Sequence, residues 1–216
     1  DLTVSPLEEI EIGAEVRDDF GVSAMGIAYT FDRNPPAEIV LAEETGRGEK
    51  VTVSHLFAFE DLEAKPDQLL SYHFWAEDIG ANGEPRRTES DMFFAEVRPF
   101  DEIFRQGEQP PGGQQQQQQQ QQQESQNGQK AEELAELQKQ IISSTWRVIR
   151  DERGAVRTED FDGNVRLIME GQQDALNQLE EAALGIEDEK SLSIVDSVRA
   201  EMQTALEELK EAAGDS

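Results

Sequence analysis

The chain has 216 residues, with 47 Asp and Glu against 19 Lys and Arg, a formal net charge of −28 and no cysteine. That charge opposes binding to nucleic acid or anionic lipid, because both need basic surface to displace counterions. The absence of cysteine excludes disulfide frameworks, thiolate metal sites and cysteine nucleophiles. The acidity is spread evenly: residues 1–100 hold 22 acids and 8 bases, residues 101–216 hold 25 and 11, and each half nets −14. Such a surface keeps a chain soluble and resists association. No apolar run approaches the length of a membrane span, and no signal-peptide pattern opens the chain. The first residue is Asp1, so anchoring segments are expected outside this sequence.

Composition divides the chain into three parts. Residues 1–100 hold most of the aromatics and a period-two alternation that marks half-buried strands. Ile10, Ile12, Ala14 and Val16 alternate with polar or small residues. Asp18-Asp19-Phe20-Gly21 then turns the chain, and Met25, Ile27, Tyr29 and Phe31 give a second strand. Asn34-Pro35-Pro36 ends it. A third strand is expected over 38–43, a fourth on Val51, Val53, His55, Phe57 and Phe59, and a fifth on Leu70, Tyr72, Phe74 and Ala76. A polar loop over Gly80 to Glu84 precedes a sixth at 92–97. Short strands without intervening helices predict an antiparallel β-sandwich. Leu62, Lys65-Pro66-Asp67 and Tyr72 resemble the corner of immunoglobulin-like and fibronectin type III-like domains, in which a tyrosine bonds back to the preceding turn. Those folds usually have seven strands, so a seventh is expected before Asp1.

Residues 101–130 form a Gln-rich linker with ten consecutive glutamines, Gln114 to Gln123. It lacks the apolar residues that would offset its ordering entropy, which predicts a disordered or fraying-helical spacer. Residues 131–214 are rich in Ala, Leu and Glu at helical spacing. Leu134, Leu137, Ile141 and Val148 form one stripe, with Trp146 beside it. Val165, Ile168, Gln172, Ala175 and Leu179 form a second, with Thr158 as cap and Gly185 past its end. Val195, Val198, Met202 and Leu209 form a third, capped by Ser191 or Ser193, with Asp196 completing a capping box. One-sided stripes predict a coiled-coil-like helical hairpin or three-helix bundle. Gln172, a polar residue in a seam, either sets the register of the helices or, as is more common for such a residue, is partly exposed.

Few residues invite chemistry. Asp19-Phe20-Gly21 spells the kinase metal-binding triplet, but no glycine-rich loop, strand lysine or catalytic-loop motif accompanies it, and Asp and Gly are what a turn requires. His55 and His73 sit on separate strands without a G-x-S-x-G elbow, so no catalytic residue, metal or cofactor is expected from them. Asp78, Asn82 and Glu84 place oxygen ligands in one loop and are candidates for calcium, although the spacing is not the EF-hand pattern. His73 and Trp75 project opposite to Tyr72 and Phe74. They form either a partner or carbohydrate patch, or a packed pair under a loop. Leu137, Ile141 and Val148 are the candidate partner-binding residues of the helical part.

Several phrases together resemble a known kind of protein. They are Ile10 to Val22, Leu69 to Asp78, Pro99 to Arg105, and Leu137 to Asp151. They are similar to large, uncharacterised membrane-anchored proteins of planctomycetes and related bacteria. The resemblance implies an extracytoplasmic location in the periplasm or cell envelope, a membrane anchor outside this chain, and an order of sandwich, Gln-rich linker and coiled-coil helices. No catalytic residue carries over. The expected function is a non-enzymatic structural or protein-interaction module that binds partners or itself through its helices. The alternatives are a carbohydrate- or calcium-binding sandwich, and the non-catalytic part of a larger enzyme.

Overall fold

The computed structural model describes residues 2–80, 83–99, 118–152, 157–184, 186 and 188–214. They fall into two compact units, Asp1–Pro111 and Gly112–Ser216. The order is strands, then helices.

The first unit contains β1 (Leu2–Val4), β2 (Glu9–Arg17), β3 (Val22–Phe31), β4 (Ala37–Glu43), β5 (Lys50–Ala58), β6 (Leu69–Ile79), β7 (Pro85–Glu89) and β8 (Phe93–Val97). β2 and β5 pair antiparallel over their full length, from Glu9 with Ala58 to Arg17 with Lys50. The other six make one sheet in the order β1-β8-β6-β3-β4, with β7 also on β6. The arrangement is sandwich-like, because the period-two residues of both sheets share one core. Ile12, Phe57 and Phe59 meet Val4, Ile27, Phe31, Leu70, Tyr72 and Val97 there. Each fully buried Phe, Leu or Ile contributes roughly 1.5–3 kcal/mol. Edge-on aromatic pairs add shape, with Tyr29 and Phe57 centroids 5.1 Å apart and Phe31 and Phe59 at 6.3 Å.

Two strands escape the sequence reading. β1 has only three residues and joins β8 in parallel, Leu2 opposite Ala95. That is too short to show a period. β7 is Pro85-Arg86-Arg87-Thr88-Glu89, polar throughout, yet it pairs with Trp75 to Ile79 of β6. β7 and β8 lie along the same edge of β6 and are separated by a break at Ser90. There the Ser90 N–H donates to the Phe74 carbonyl at 2.8 Å and the Ser90 hydroxyl accepts the Phe74 N–H at 2.9 Å. One side chain thus completes the ladder across the interruption.

Among the described residues, Tyr72 makes no hydrogen bond back to the preceding turn, so the expected tyrosine corner is not seen there. Tyr72 is buried and stacks on Phe93 at 5.5 Å. The turn before it finds partners in its own Gln68 side chain and in β8. The Lys65 N–H donates to Gln68 Oε1 at 2.8 Å, and the Asp67 N–H to the Val97 carbonyl at 2.8 Å.

The second unit contains α1 (Gln118–Asp151), α2 (Phe161–Ala183) and α3 (Glu189–Ala213). α1 begins inside the segment expected as linker, and residues 101–117 lie outside the described residues. α1 packs on α2 and α2 on α3. The shared core is aliphatic: Leu134, Ile141, Ile168, Ala175, Leu179, Met202 and Leu206 belong to it. The expected caps are displaced. Asp160, not Thr158, stands at the N-cap of α2, and Thr158 bonds the Glu152 carboxylate. Asp188 caps α3, accepting the Lys190 N–H at 3.1 Å and the Ser191 N–H at 2.9 Å, so Ser191 and Ser193 lie inside the helix. Its carboxylate sits ahead of both serines and meets the orphan donors first. Asp196 pairs with Arg199. Gly185 lies outside the described residues.

Gln172 is buried at 1% exposure, which removes the partly exposed reading and leaves the register-setting one. Its Nε2 donates to the Met202 carbonyl of α3 at 3.1 Å, and its Oε1 accepts from Gln138 Nε2 of α1 at 3.3 Å. The side chain therefore ties α2 to both neighbours, which is how a buried amide avoids the penalty of an unmet polar group.

Candidate functional site

Trp75 and His73 lie on the face of β6 that points away from the shared core. Trp75 is nevertheless only 5% exposed. Its indole rests on Gly26 of β3, where a Cβ would overlap both the ring and the Ile39 carbonyl. The Arg87 guanidinium covers the other side, 4.4 Å from the ring centroid. Arg87 is held by Glu38 at 2.6 Å, Glu89 at 3.0 Å and Glu77 at 3.4 Å. Burial weakens the Arg87 cation, but Glu38 and Glu89 outweigh it and hold its pKa above the ordinary arginine value. His73 Nε2 lies 3.8 Å from the buried Glu89 carboxylate. These residues form a packed polar stack, and Trp75 presents no open aromatic face to a partner or sugar.

The calcium candidates fare similarly. Asp78 is buried, and its carboxylate engages Arg86 through Nε at 3.0 Å and through Nη2. That hydrogen bond holds the Asp78 carboxyl below its ordinary pKa. A guanidinium on the same oxygens repels a divalent cation, so Asp78 is spent on β7. The Glu84 carbonyl accepts the Gly80 N–H at 2.9 Å and closes the turn, aided by Gly83 at φ 79°. Asn82 lies outside the described residues. Among the described residues, no group of three or more His, Asp and Glu is placed to hold a metal ion.

The helical candidates do come together. Leu137, Ile141 and Val148 of α1 line one open groove of about 330 Å³ with Leu167 and Ile168 of α2. Ile141 is buried at its floor, Leu137 and Val148 are half-buried, and Leu167 is 66% exposed. Gly171 faces Ile141 across the helix pair, and a Cβ there would meet it at 3.6 Å, an ordinary van der Waals contact. Gln140, Ser144, Arg147 and Asn164 supply the polar walls. Leu167 was missed because it falls next to Ile168 and off the α2 stripe. The available signal was an apolar residue on the polar side of a helix. A second hollow of about 610 Å³ lies among the sheet unit's loops, where exposed Phe20 and Ile79 meet Arg47. There the expected turn over Asp18 to Gly21 is present, with the Phe20 N–H donating to Asp18 Oδ1 at 2.7 Å.

No protein-family model, curated protein or solved structure matches the chain. Among the described residues, no helix is long and apolar enough to cross a membrane.

Proposed function

We propose that this chain is a non-enzymatic, extracytoplasmic structural and protein-interaction module. The sheet unit serves as an immunoglobulin- or fibronectin III-like spacer, and the helical unit, coiled-coil-like in its packing, docks a protein. Two features support the spacer reading: the separate β2-β5 pair, and β1 running parallel to the last strand of a larger sheet. The resemblance to membrane-anchored proteins of planctomycetes supports a place in the periplasm or cell envelope, held by segments outside this chain.

The observation that carries the docking role is the uncovered α1–α2 groove, with Leu167 at 66% exposure beside Leu137, Ile141 and Val148. Half-buried Leu137 and Val148 beside exposed Leu167 leave an apolar strip open along the groove, the kind of surface on which a partner helix lays its apolar face. The carbohydrate and calcium alternatives lose their anchors, since Trp75 is packed under Arg87 and Asp78 is paired with Arg86.

The test is sedimentation velocity of the full chain, alone and with envelope extract, for the wild type and for Leu167→Gln. The expected result is a faster-sedimenting complex that the substitution removes while the thermal melt stays unchanged. A wild-type chain that sediments as a monomer in both samples overturns the reading.

A further inference from the structure

Strand β2 pairs with β5 on one side and leaves its other edge open. The Phe59 N–H donates to the Glu8 carbonyl at 3.0 Å, directly across the β2–β5 register, so Glu8 and Phe59 are a hydrogen-bonded pair of that ladder. Such pairs alternate along antiparallel strands. Ile10, Ile12, Ala14 and Val16 therefore turn their N–H and C=O groups toward β5, and Glu9, Glu11, Gly13, Glu15 and Arg17 turn theirs away. Among the described residues those outward groups have no partner, and all five residues are exposed. With nine residues, β2 is longer than the edge strands β1, β4 and β7, while the far edge of β5 lies beside β4. It contains no proline, no bulge and no inward charge, three features that close an edge to pairing.

An added strand must suit both faces of this edge. Toward the core lie Ile12, buried, and Ala14 and Val16, half-buried. Toward solvent lie Glu11, Gly13, Glu15 and Arg17. A second β2, antiparallel and related by a two-fold axis at Ala14, suits both. Glu11 then falls opposite Arg17 of the second copy, twice by symmetry, and Glu15 falls opposite Gly13. On the core side Ile12 falls opposite Val16, a β-branched pair. No like charges stand directly opposed, and Lys50 already holds Glu15 at 2.6 Å. Moving the axis to Gly13 sets Glu11 against Glu15, and moving it to Ile12 sets Glu9 against Glu15, so charge selects the register. The net charge of −28 opposes approach at long range. Physiological salt screens that repulsion beyond about 8 Å, and the opposed Glu11 and Arg17 act at contact.

We propose that β2 is a self-association edge, at which two copies of the chain join β2 to β2 in antiparallel register about Ala14 and merge their two-stranded sheets into one. This contact is separate from the α1–α2 groove and goes beyond the docking function above.

Sedimentation equilibrium of the full chain at physiological salt is expected to show a reversible monomer–dimer equilibrium. Arg17→Glu should weaken the dimer about ten-fold, Glu11→Arg likewise, and the two together should restore it. Leu167→Gln should leave it unchanged. Because the chain has no cysteine, a single introduced one reads the register. Opposed residues of a non-hydrogen-bonded pair have Cα atoms about 4.5 Å apart, which a disulfide spans. Ala14→Cys should therefore cross-link the dimer on oxidation. Val16→Cys, at a position half-buried like Ala14, should not, because its two copies would lie about 13 Å apart. Thermal melts of every variant under reducing conditions separate lost pairing from lost folding. A strict monomer at high concentration overturns the proposal. So does a dimer that ignores Arg17→Glu or that the double swap fails to restore, and so does cross-linking through Val16→Cys in place of Ala14→Cys. A dimer that Leu167→Gln dissolves belongs to the helical groove; it overturns the β2 edge and leaves the docking function standing.

Discussion

The two units solve the problem of a buried core differently. The sheet unit closes around large side chains: Phe59, Ile27 and Leu70 are each 0% exposed. Its polar stack of Trp75, Arg87 and Glu89 sits on the far side of the sheet from those residues. The helical unit has a thin aliphatic core, and its largest fully buried side chain is polar, Gln172. A core of aromatics between two sheets has room only for shape complementarity. A core between three one-sided helices offers many nearly equivalent registers, and one satisfied amide can select among them. The difference teaches why the sheet unit is inwardly complete while the helical unit leaves Leu167 and its groove uncovered.

The strongest way to break this comparison is at Phe59. Phe59→Ala should lower the unfolding free energy of the sheet unit by about 3–5 kcal/mol, read from a calorimetric scan as a shift of one transition while the helical one stays in place. A loss below about 1 kcal/mol would mean that the core relaxes around the cavity and is not tightly packed. A pair of substitutions at Gln172 comes next. Gln172→Ala leaves a void and strips Gln138 of its acceptor, and should cost the helical unit about 1–3 kcal/mol. Gln172→Leu refills the volume without a polar group and should cost less, or stabilise. Equal losses for the two would show that the amide bonds, rather than the packing, hold the helices.

The smallest expected effect is on pH dependence, and it treats the units alike. Asp78 in the sheet unit and Asp188 in the helical unit both have carboxyl pKa values below the ordinary one. A hydrogen bond from Arg86 is the main cause at Asp78, and hydrogen bonding from Ser191 is the main cause at Asp188. A depressed carboxylate contributes stability that is full above its unfolded pKa and is lost as the pH falls through the folded one. Asp78→Asn should therefore flatten the acid limb of the sheet unit's melting temperature against pH, and Asp188→Asn that of the helical unit. Melts followed by far-ultraviolet circular dichroism check this; an unchanged acid limb in both variants would sink it.

What could be read in advance followed the reach of local pattern. β2 and β5 alternate cleanly, so Ile12 and Phe57 announce their inward faces, and the α1 and α2 stripes announce Ile141 and Ile168. β1 is too short to carry a period and β7 carries no apolar residue, so neither announces itself. Missing β7 had a consequence, because it supplies the Arg87 that covers Trp75 and the Arg86 that neutralises Asp78. Both sheet-unit candidates were residues whose partners lay in an unseen strand. At Tyr72 the local motif was present, but the turn had nearer partners in Gln68 and Val97. In the groove, three of the five apolar residues were legible from α1 alone. Leu167 required knowing which side of α2 the first helix would occupy.

The placement of the two tryptophans has a spectroscopic consequence. The chain has only Trp75 and Trp146, one in each unit. Trp75 is sealed between Gly26 and a guanidinium, whereas Trp146 is half-buried on α1. Their emission should differ in wavelength and in quenching by iodide. With Trp75→Phe or Trp146→Phe, each unit therefore has its own optical reporter and the loss of one can be timed without the other.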